Sequence, residues 1–342
     1  MLHRVAMGAG LAVGVALVLM VFFKPRWDGG LAVTPRFALE GFFRELPRHG
    51  RWLAGFAACA ALLPAWRALV WRLVMPPHAR YADAYHATAM GALLHNTLPG
   101  KVGPVAAAWL LSRMEARPFA PLLSSQLLSK LLEMGALVAV GALAALVLGP
   151  EIGVGRIALA GAGSFAALAG ATVLVAWAAP GAAVRLWRRL PRAGAFVAAI
   201  GEGLRNAGSP ARLAVAIACA LGPALTAAAS YAIPLAAFGV ERPLAGGALV
   251  VAVITFGQLT PGLPVGTGVY WALSSWAARR LGASAADAAA LALVTHAGMV
   301  ASQVVVGGIS ALVRRGALRD LLRRRRSLAR ASEDAVLRRV AP

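Results

Sequence analysis

The sequence predicts an all-α fold: a polytopic integral membrane protein with about six transmembrane helices and two broken, re-entrant helical hairpins in an inverted repeat. The first observation is composition, because 60% of the 342 residues are hydrophobic and only 14% are charged, whereas soluble domains carry about 25% charged residues. The second is the presence of six apolar stretches that reach the roughly 18 residues needed to cross a bilayer. The third is a pair of apolar stretches that proline and glycine interrupt. A soluble globular protein is therefore excluded.

The six uninterrupted apolar stretches are predicted to be membrane spans. They are residues 5–23, 52–75, 122–148, 157–179, 213–238 and 287–313. The first has the basic start of a signal peptide, but it is long for the apolar core of one and no A-x-A cleavage site follows it. We therefore interpret residues 5–23 as a retained span.

The stretches 85–111 and 246–281 each contain a segment that is dense in proline and glycine. These segments read LPGKVGP at residues 98–104 and TPGLPVGTG at residues 260–268. Proline and glycine at this density end a helix. Each stretch is therefore expected to form two short helices joined by a non-helical tip.

The charge distribution predicts the orientation. The chain has 34 basic and 13 acidic residues, and the basic residues lie mostly between the apolar spans. With the N-terminus inside, 22 basic and 6 acidic residues face the cytoplasm, against 10 and 6 outside. The positive-inside rule then places both termini in the cytoplasm. Because the basic residues fit this pattern, nucleic-acid binding is not expected.

Two arginine-rich segments, residues 180–212 and 316–342, are predicted to be a cytoplasmic loop and a cytoplasmic tail. They either rest on an anionic lipid surface or are ordinary positive-inside segments. The two cysteines, Cys59 and Cys219, lie inside apolar stretches and suit neither a metal cluster nor a disulfide framework. No cofactor and no metal is expected.

Two parts of the chain resemble each other. Pro99-Gly100 and Pro261-Gly262 are each followed by a tryptophan ten residues after the proline and a serine thirteen residues after it. The unit 52–148 enters the membrane from outside, and the unit 213–313 enters from the cytoplasm. This is the inverted-repeat plan of many secondary transporters. One domain, residues 1–315, is expected to contain both units, joined by the span 157–179 and the loop 180–212.

The two tips predict a site for an anionic group. Non-helical backbone survives in a bilayer only beside protein or a water-filled cavity, and helix N-termini after each tip direct N–H groups there. Lys101 adds a positive charge, which costs about 2.5–3.5 kcal/mol at a bilayer centre. The ligand is expected to be a phosphate or carboxylate head group. Alternatively, Lys101 reaches the membrane surface and the tips only pack two helices.

Other polar residues allow two interpretations each. Lys130 and Glu133 are three residues apart on one helix face and either form a structural pair or line a pathway. His95 and His296 either relay protons or form hydrogen bonds within the bundle. The chain has no P-loop, no G-x-S-x-G and no H-E-x-x-H motif, so an enzyme is not expected.

The motifs resemble the lysylphosphatidylglycerol synthase transmembrane (flippase-like) family over about residues 5–315. The resemblance rests on the residues from Gly91 to Gly103 that contain Asn96-Thr97-Leu98-Pro99-Gly100-Lys101, on Pro261-Gly262 with Gly266-Thr267-Gly268-Val269-Tyr270, on the segment from Arg67 to Arg72, and on Lys130-x-x-Glu133. Relatives are bacterial and archaeal inner-membrane proteins. In two-part members the transmembrane portion moves aminoacylated phospholipid between leaflets after a separate synthase domain makes it. That domain is not recognisable here, which implies a stand-alone member.

The resemblance implies a lipid translocase of the bacterial inner membrane. Alternatives are a non-transporting scaffold or regulator of a lipid, hopanoid or polysaccharide pathway, and a membrane-embedded lipid-modifying enzyme. The predicted substrate-binding residues are Asn96, Pro99, Gly100, Lys101, Gly103, Lys130, Glu133, Gln258, Pro261, Gly262, Gly266, Thr267 and Gly268. Three charges that relatives commonly carry are replaced by Pro104, Ala107 and Trp271. This implies either a less polar lipid or a loss of activity.

Overall fold

A computed structural model describes residues 23–27, 31–35, 50–76, 79–97, 102–149, 155–178, 190–257 and 267–316. Within these ranges ten helices and one β-hairpin form. The helices are α1 Gly50–Val74, α2 Tyr81–Thr97, α3 Gly103–Met114, α4 Phe119–Leu148, α5 Gly155–Ala178, α6 Pro191–Ala207, α7 Pro210–Ala237, α8 Pro243–Gly257, α9 Thr267–Arg280 and α10 Ala285–Val313. The predicted fold class, a polytopic all-α membrane protein, is confirmed.

Four helices are long and apolar enough to cross a membrane: α1 from Trp52 onward, α4, α7 and α10. They coincide with the predicted spans 52–75, 122–148, 213–238 and 287–313. The fifth predicted span, 157–179, forms the 24-residue helix α5. The first predicted span, 5–23, lies outside the described residues except for residue 23.

The β-hairpin was not predicted. Its strands β1 Phe23–Trp27 and β2 Leu31–Pro35 pair antiparallel, with Phe23 opposite Pro35 and Trp27 opposite Leu31. Residue 23 therefore belongs to a strand and not to the first predicted span. A signal was present in the sequence, because Asp28-Gly29-Gly30 is a typical hairpin-turn sequence.

Both interrupted stretches break where the sequence predicts. Helix α2 ends at Thr97 and α3 begins at Gly103, and α8 ends at Gly257 before α9 begins at Thr267. The first pair is antiparallel, because Gly91 lies against Ala107. In the second pair Gly246 lies against Leu281, so its two outer ends also meet. Each stretch is therefore a helical hairpin.

Helices α1 and α7 pack against each other in antiparallel orientation. Gly55 near the start of α1 faces Ile233 near the end of α7, and Gly222 faces the Trp66 ring, where a Cβ would lie 2.5 Å away. At one end of the pair, an Arg212 guanidinium N–H donates to the Arg72 carbonyl oxygen at 3.0 Å. Glycine at these positions is what lets the two helices approach closely.

The packing has a two-fold pattern. Helices α1 to α4 have 25, 17, 12 and 30 residues, and α7 to α10 have 28, 15, 14 and 29. Helix α4 packs on α8 where Gly141 faces Ala252, and α10 packs on α2 where Gly307 faces Leu93. If α1 to α4 exchange places in order with α7 to α10, each packed pair of these eight helices becomes a packed pair again, and the α1–α7 pair becomes itself.

Helices α5 and α6 stand outside this pattern and pack on α4. Gly203 of α6 lies against Leu128, where a Cβ would be 2.9 Å from the leucine Cβ. The Ser124 hydroxyl donates to the Glu202 carboxylate at 2.9 Å. Helix α6 therefore covers the first third of α4, and its buried side chains join those of α1 to α4 in one hydrophobic cluster around Trp71.

Candidate functional site

The first hairpin is held together by residues without bulky side chains. A Cβ on Gly103 would lie 2.8 Å from the His95 Cβ and 3.1 Å from the Gly91 carbonyl oxygen. Pro104 follows in the first turn of α3, where proline fits because no helical donor is lost. Gly103, predicted as a substrate-binding residue, therefore has a direct packing role at the base of the tip.

The remaining tip residues are only partly within the structure. Asn96 lies in the last turn of α2 and Thr267 begins α9. Gly268, one residue into α9, is buried. The others lie outside the described residues, so their contacts with a head group stay predictions: Pro99, Gly100, Lys101, Gln258, Pro261, Gly262 and Gly266.

Lys130 and Glu133 form an ion pair on α4. The Lys130 Nζ atom lies 2.7 Å from Glu133 Oε2, and the Arg67 Nε atom of α1 approaches the same oxygen at 3.4 Å. The Glu133 side chain is 11% exposed, against 31% for Lys130 and 33% for Arg67. Two cations thus share one carboxylate, and the cluster keeps a net positive charge.

Arg67 is one of the 22 basic residues that the sequence assigns to the cytoplasm, so its contact with Glu133 was not predicted. The structure instead places it within α1, seven residues before the end of the helix, where its side chain contacts Glu133. A signal existed, because Arg67 lies inside the apolar stretch 52–75. A charged residue in that position usually faces the bundle and has a partner.

Unsatisfied polar atoms surround this ion cluster. Gln126, Ser129, Lys130 and Glu133 lie on one side of α4, at spacings of three and four residues. Gln126 and Ser129 are 4% and 1% exposed. Gln126 Oε1, Ser129 Oγ and Glu133 Oε1 have no hydrogen-bond partner among the described residues. Since buried polar atoms are normally paired, this side of α4 is suited to a polar ligand or water.

Helix lengths indicate that the ion cluster and the first helix break lie at similar distances from the connection between α3 and α4. Helices α3 and α4 leave the same short connection, residues 115–118. Helix α3 has 12 residues and rises about 18 Å to the tip, and Lys130 lies about three turns, or about 16 Å, into α4. A head group at the tip would therefore be level with Lys130 and Glu133.

A second cluster, made of aromatic and hydroxyl side chains, occupies the other half of the bundle. The Tyr231 and Tyr270 hydroxyls are hydrogen-bonded, and the Tyr270 hydroxyl donates to Thr295 Oγ1 at 3.0 Å. The His296 ring stacks on Tyr270 with centroids 4.4 Å apart, and Trp271 contacts His296 edge-on at 5.8 Å. The hydroxyl pair was not predicted, because hydroxyl pairs between helices have no signature spacing; Tyr270 was named only as part of the second family motif. The His296 ring packs against Tyr270 and Trp271.

In the part of the chain that the structure describes, no group of three or more histidine, cysteine, aspartate or glutamate side chains could hold a metal ion. The candidate charged centre is the Arg67–Lys130–Glu133 cluster, built from α1 and α4. Its geometry suits ionic and hydrogen-bonding recognition of a polar group beside apolar lipid-facing helices.

The family model of the lysylphosphatidylglycerol synthase TM region matches residues 6–307 of the 342-residue chain. The chain belongs to this family. It is a family of membrane proteins with a lipid-related function, in agreement with the multi-pass helical fold. No curated protein and no solved structure matches the chain.

The structure accounts for two of the departures from the usual sequence of the lysylphosphatidylglycerol synthase TM family. Ala107, where the resemblance implies an arginine, is 2% exposed and lies against Gly91, so a long side chain would separate α2 from α3. Trp271, where the resemblance implies a glutamate, packs against His296. At both positions this protein has a packed, uncharged side chain where the resemblance implies a charged one.

Proposed function

We propose that this protein moves a lipid with a phosphate-bearing head group between the two leaflets of a bacterial inner membrane. The head group binds at the hairpin tips and beside the Arg67–Lys130–Glu133 cluster, while the acyl chains stay in the bilayer. The observation that carries this proposal is a net positive cluster with unsatisfied buried acceptors at the depth of a helix break. Phosphate oxygens would accept from Arg67 and Lys130, and head-group hydroxyls or amines would donate to Gln126 and Glu133.

We further propose that residues 52–148 and 213–313 are an inverted repeat. Support comes from the antiparallel α1–α7 pair, the matching order of helix lengths and the exchange pattern of packed helices. A two-fold axis that relates antiparallel spanning helices lies in the membrane plane. Two hairpins related in this way approach one region from opposite surfaces, which suits alternating access.

The proposed repeat also relates the two polar clusters. Gly141 and Gly307 have equivalent contacts and differ by 166 positions, and the same offset takes Ser129-Lys130 to Thr295-His296. The charged half and the aromatic half would thus be versions of one site. Among the described residues, the ion cluster is found in the first of these two sites, so we propose that head-group recognition occurs there.

The orientation is testable with two equivalent alanines, Ala120 at the start of α4 and Ala286 at the start of α10, both exposed. In a Cys59→Ala, Cys219→Ala background, Ala286→Cys should react with an impermeant maleimide in intact spheroplasts. Ala120→Cys should react only after permeabilisation. Labelling of both from one side would contradict the inverted repeat, and the reversed result would contradict cytoplasmic termini.

Translocation is tested in liposomes that contain fluorescent anionic, cationic or polyprenyl-linked lipids, with dithionite quenching of the outer leaflet. We expect the protein to accelerate exchange of one class about tenfold, equivalent to about 1.4 kcal/mol of barrier. Lys101→Ala should remove the acceleration, whereas Arg315→Gln, at an exposed position after α10, should not. No acceleration for any class would favour the scaffold. A new lipid species in the membrane would indicate a lipid-modifying enzyme.

A further inference from the structure

The second helix of each hairpin ends in an exposed tryptophan–arginine pair. In α3 the Arg113 guanidinium lies 6.0 Å from the centroid of the Trp109 ring, and in α9 the Arg280 guanidinium lies 5.7 Å from that of Trp276. The tryptophans are 42% and 39% exposed. Trp276 therefore resembles Trp109 in exposure and in its neighbouring arginine. Trp271, which matches Trp109 in its distance from the proline, does not share these features.

The guanidinium groups of these two arginines are available to bind a ligand that is not part of the protein. Elsewhere in the described bundle, Arg67, Arg117 and Arg314 form ion pairs with Glu133, Glu115 and Asp83. Among the described residues, Arg113 and Arg280 form no ion pair with an acidic side chain. A guanidinium that lies over an indole still directs N–H groups outward, and two of them fit a phosphate group.

The outward face of α3 has the same polarity as a phospholipid. Val105, Trp109 and Arg113 follow each other at intervals of four residues, and all three are exposed. Helices α2 and α4 pack against other sides of α3, so no described helix covers this face. Val105 lies near the tip and Arg113 near the helix end, which places the apolar part deep and the charge at the surface.

We propose that the Trp109–Arg113 and Trp276–Arg280 pairs are docking sites for phospholipids with anionic head groups, one on each hairpin. The arginine binds the lipid phosphate, and the tryptophan ring and the residues before it contact the glycerol and acyl chains. Tryptophan favours this membrane level. Under the proposed repeat the sites lie at opposite membrane surfaces, where each holds a lipid beside a hairpin whether or not the protein moves it.

The test uses the full chain labelled with fluorotryptophan, in phosphatidylcholine nanodiscs with increasing proportions of phosphatidylglycerol. Fluorine NMR resonances of the two tryptophans are assigned with Trp109→Phe and Trp276→Phe. Both resonances should shift and saturate as phosphatidylglycerol increases. Arg113→Gln should remove the first shift and Arg280→Gln the second. Arg279→Gln is the matched control: it removes a neighbouring exposed charge on the same helix and should preserve the Trp276 shift.

Several outcomes would overturn this inference. They are shifts that do not saturate, shifts that persist in Arg113→Gln and Arg280→Gln, and loss of the Trp276 shift in Arg279→Gln, which indicates general surface charge. Inorganic phosphate added to phosphatidylcholine nanodiscs should leave both resonances unchanged, and an equal shift would contradict a lipid site. Docking needs no translocation, so a negative dithionite experiment with positive titrations would reject the proposed function alone.

Discussion

Glu133→Gln is expected to abolish lipid exchange and to destabilise the bundle. The substitution leaves Arg67 and Lys130 beside each other without the carboxylate that both contact. Removing one member of a fully buried ion pair costs about 3–5 kcal/mol, and partial exposure of the two cations reduces this to about 1–3 kcal/mol. Exchange should fall at least about tenfold, measured by dithionite quenching, with a lower midpoint of thermal unfolding in detergent.

Two variants separate charge balance from recognition. Glu133→Gln combined with Lys130→Met restores the original net charge around Arg67, so stability should recover while exchange stays low. Glu202→Gln removes a carboxylate on α6 that accepts a hydrogen bond from Ser124. It should change lipid exchange and stability little. Exchange within twofold of the unsubstituted protein in Glu133→Gln would show that the cluster does not bind the head group.

The largest loss of stability is expected from Gly247→Ala. A Cβ at this position of α8 would lie 2.6 Å from the Ala232 backbone nitrogen and would also meet the Ala228 carbonyl oxygen of α7. Backbone atoms of a helix cannot rotate away as a side chain does, so α7 and α8 would have to separate. Overpacking of this kind costs about 1–3 kcal/mol or more, which exceeds the gain of about 1 kcal/mol in helix propensity.

Gly308→Ala provides the control for this prediction. Gly308 lies inside α10, and a Cβ there would meet no atom of the described residues within 4 Å. The same chemical change should therefore leave the unfolding midpoint unchanged or raise it. The packing argument is wrong if Gly247→Ala unfolds at or above the midpoint of Gly308→Ala.

The spans and the helix breaks were predictable because they depend on local sequence. The length of an apolar stretch decides whether it crosses a bilayer, and Pro-Gly density decides where a helix stops. Both signals placed α4, α10 and the two interruptions within a few residues of the structure. The Lys130–Glu133 pair was predictable for the same reason, since its members are three residues apart.

Contacts between distant segments were not predictable in this way. The hydrogen bond from Trp71 Nε1 to Ser125 Oγ joins residues 54 positions apart, and Arg67 contacts Glu133 across a similar separation. Which faces of α1 and α7 meet likewise depends on glycines that let the helices approach, such as Gly222 against Trp66. These approaches follow from three-dimensional packing, and no spacing in the sequence indicates them.

The Tyr231–Tyr270–Thr295 chain bears on the energy source of the proposed transport. Its last hydroxyl, on Thr295, donates to the Leu291 carbonyl oxygen at 2.7 Å. A backbone carbonyl accepts a hydrogen bond but has no proton of its own to pass on. A proton that entered at Tyr231 could therefore not move beyond Thr295 along this chain. His296 meets this chain through the face of its ring. Among the described residues, this hydroxyl chain therefore ends at a backbone carbonyl, and a proton-coupled version of the proposed transport would have to use other groups.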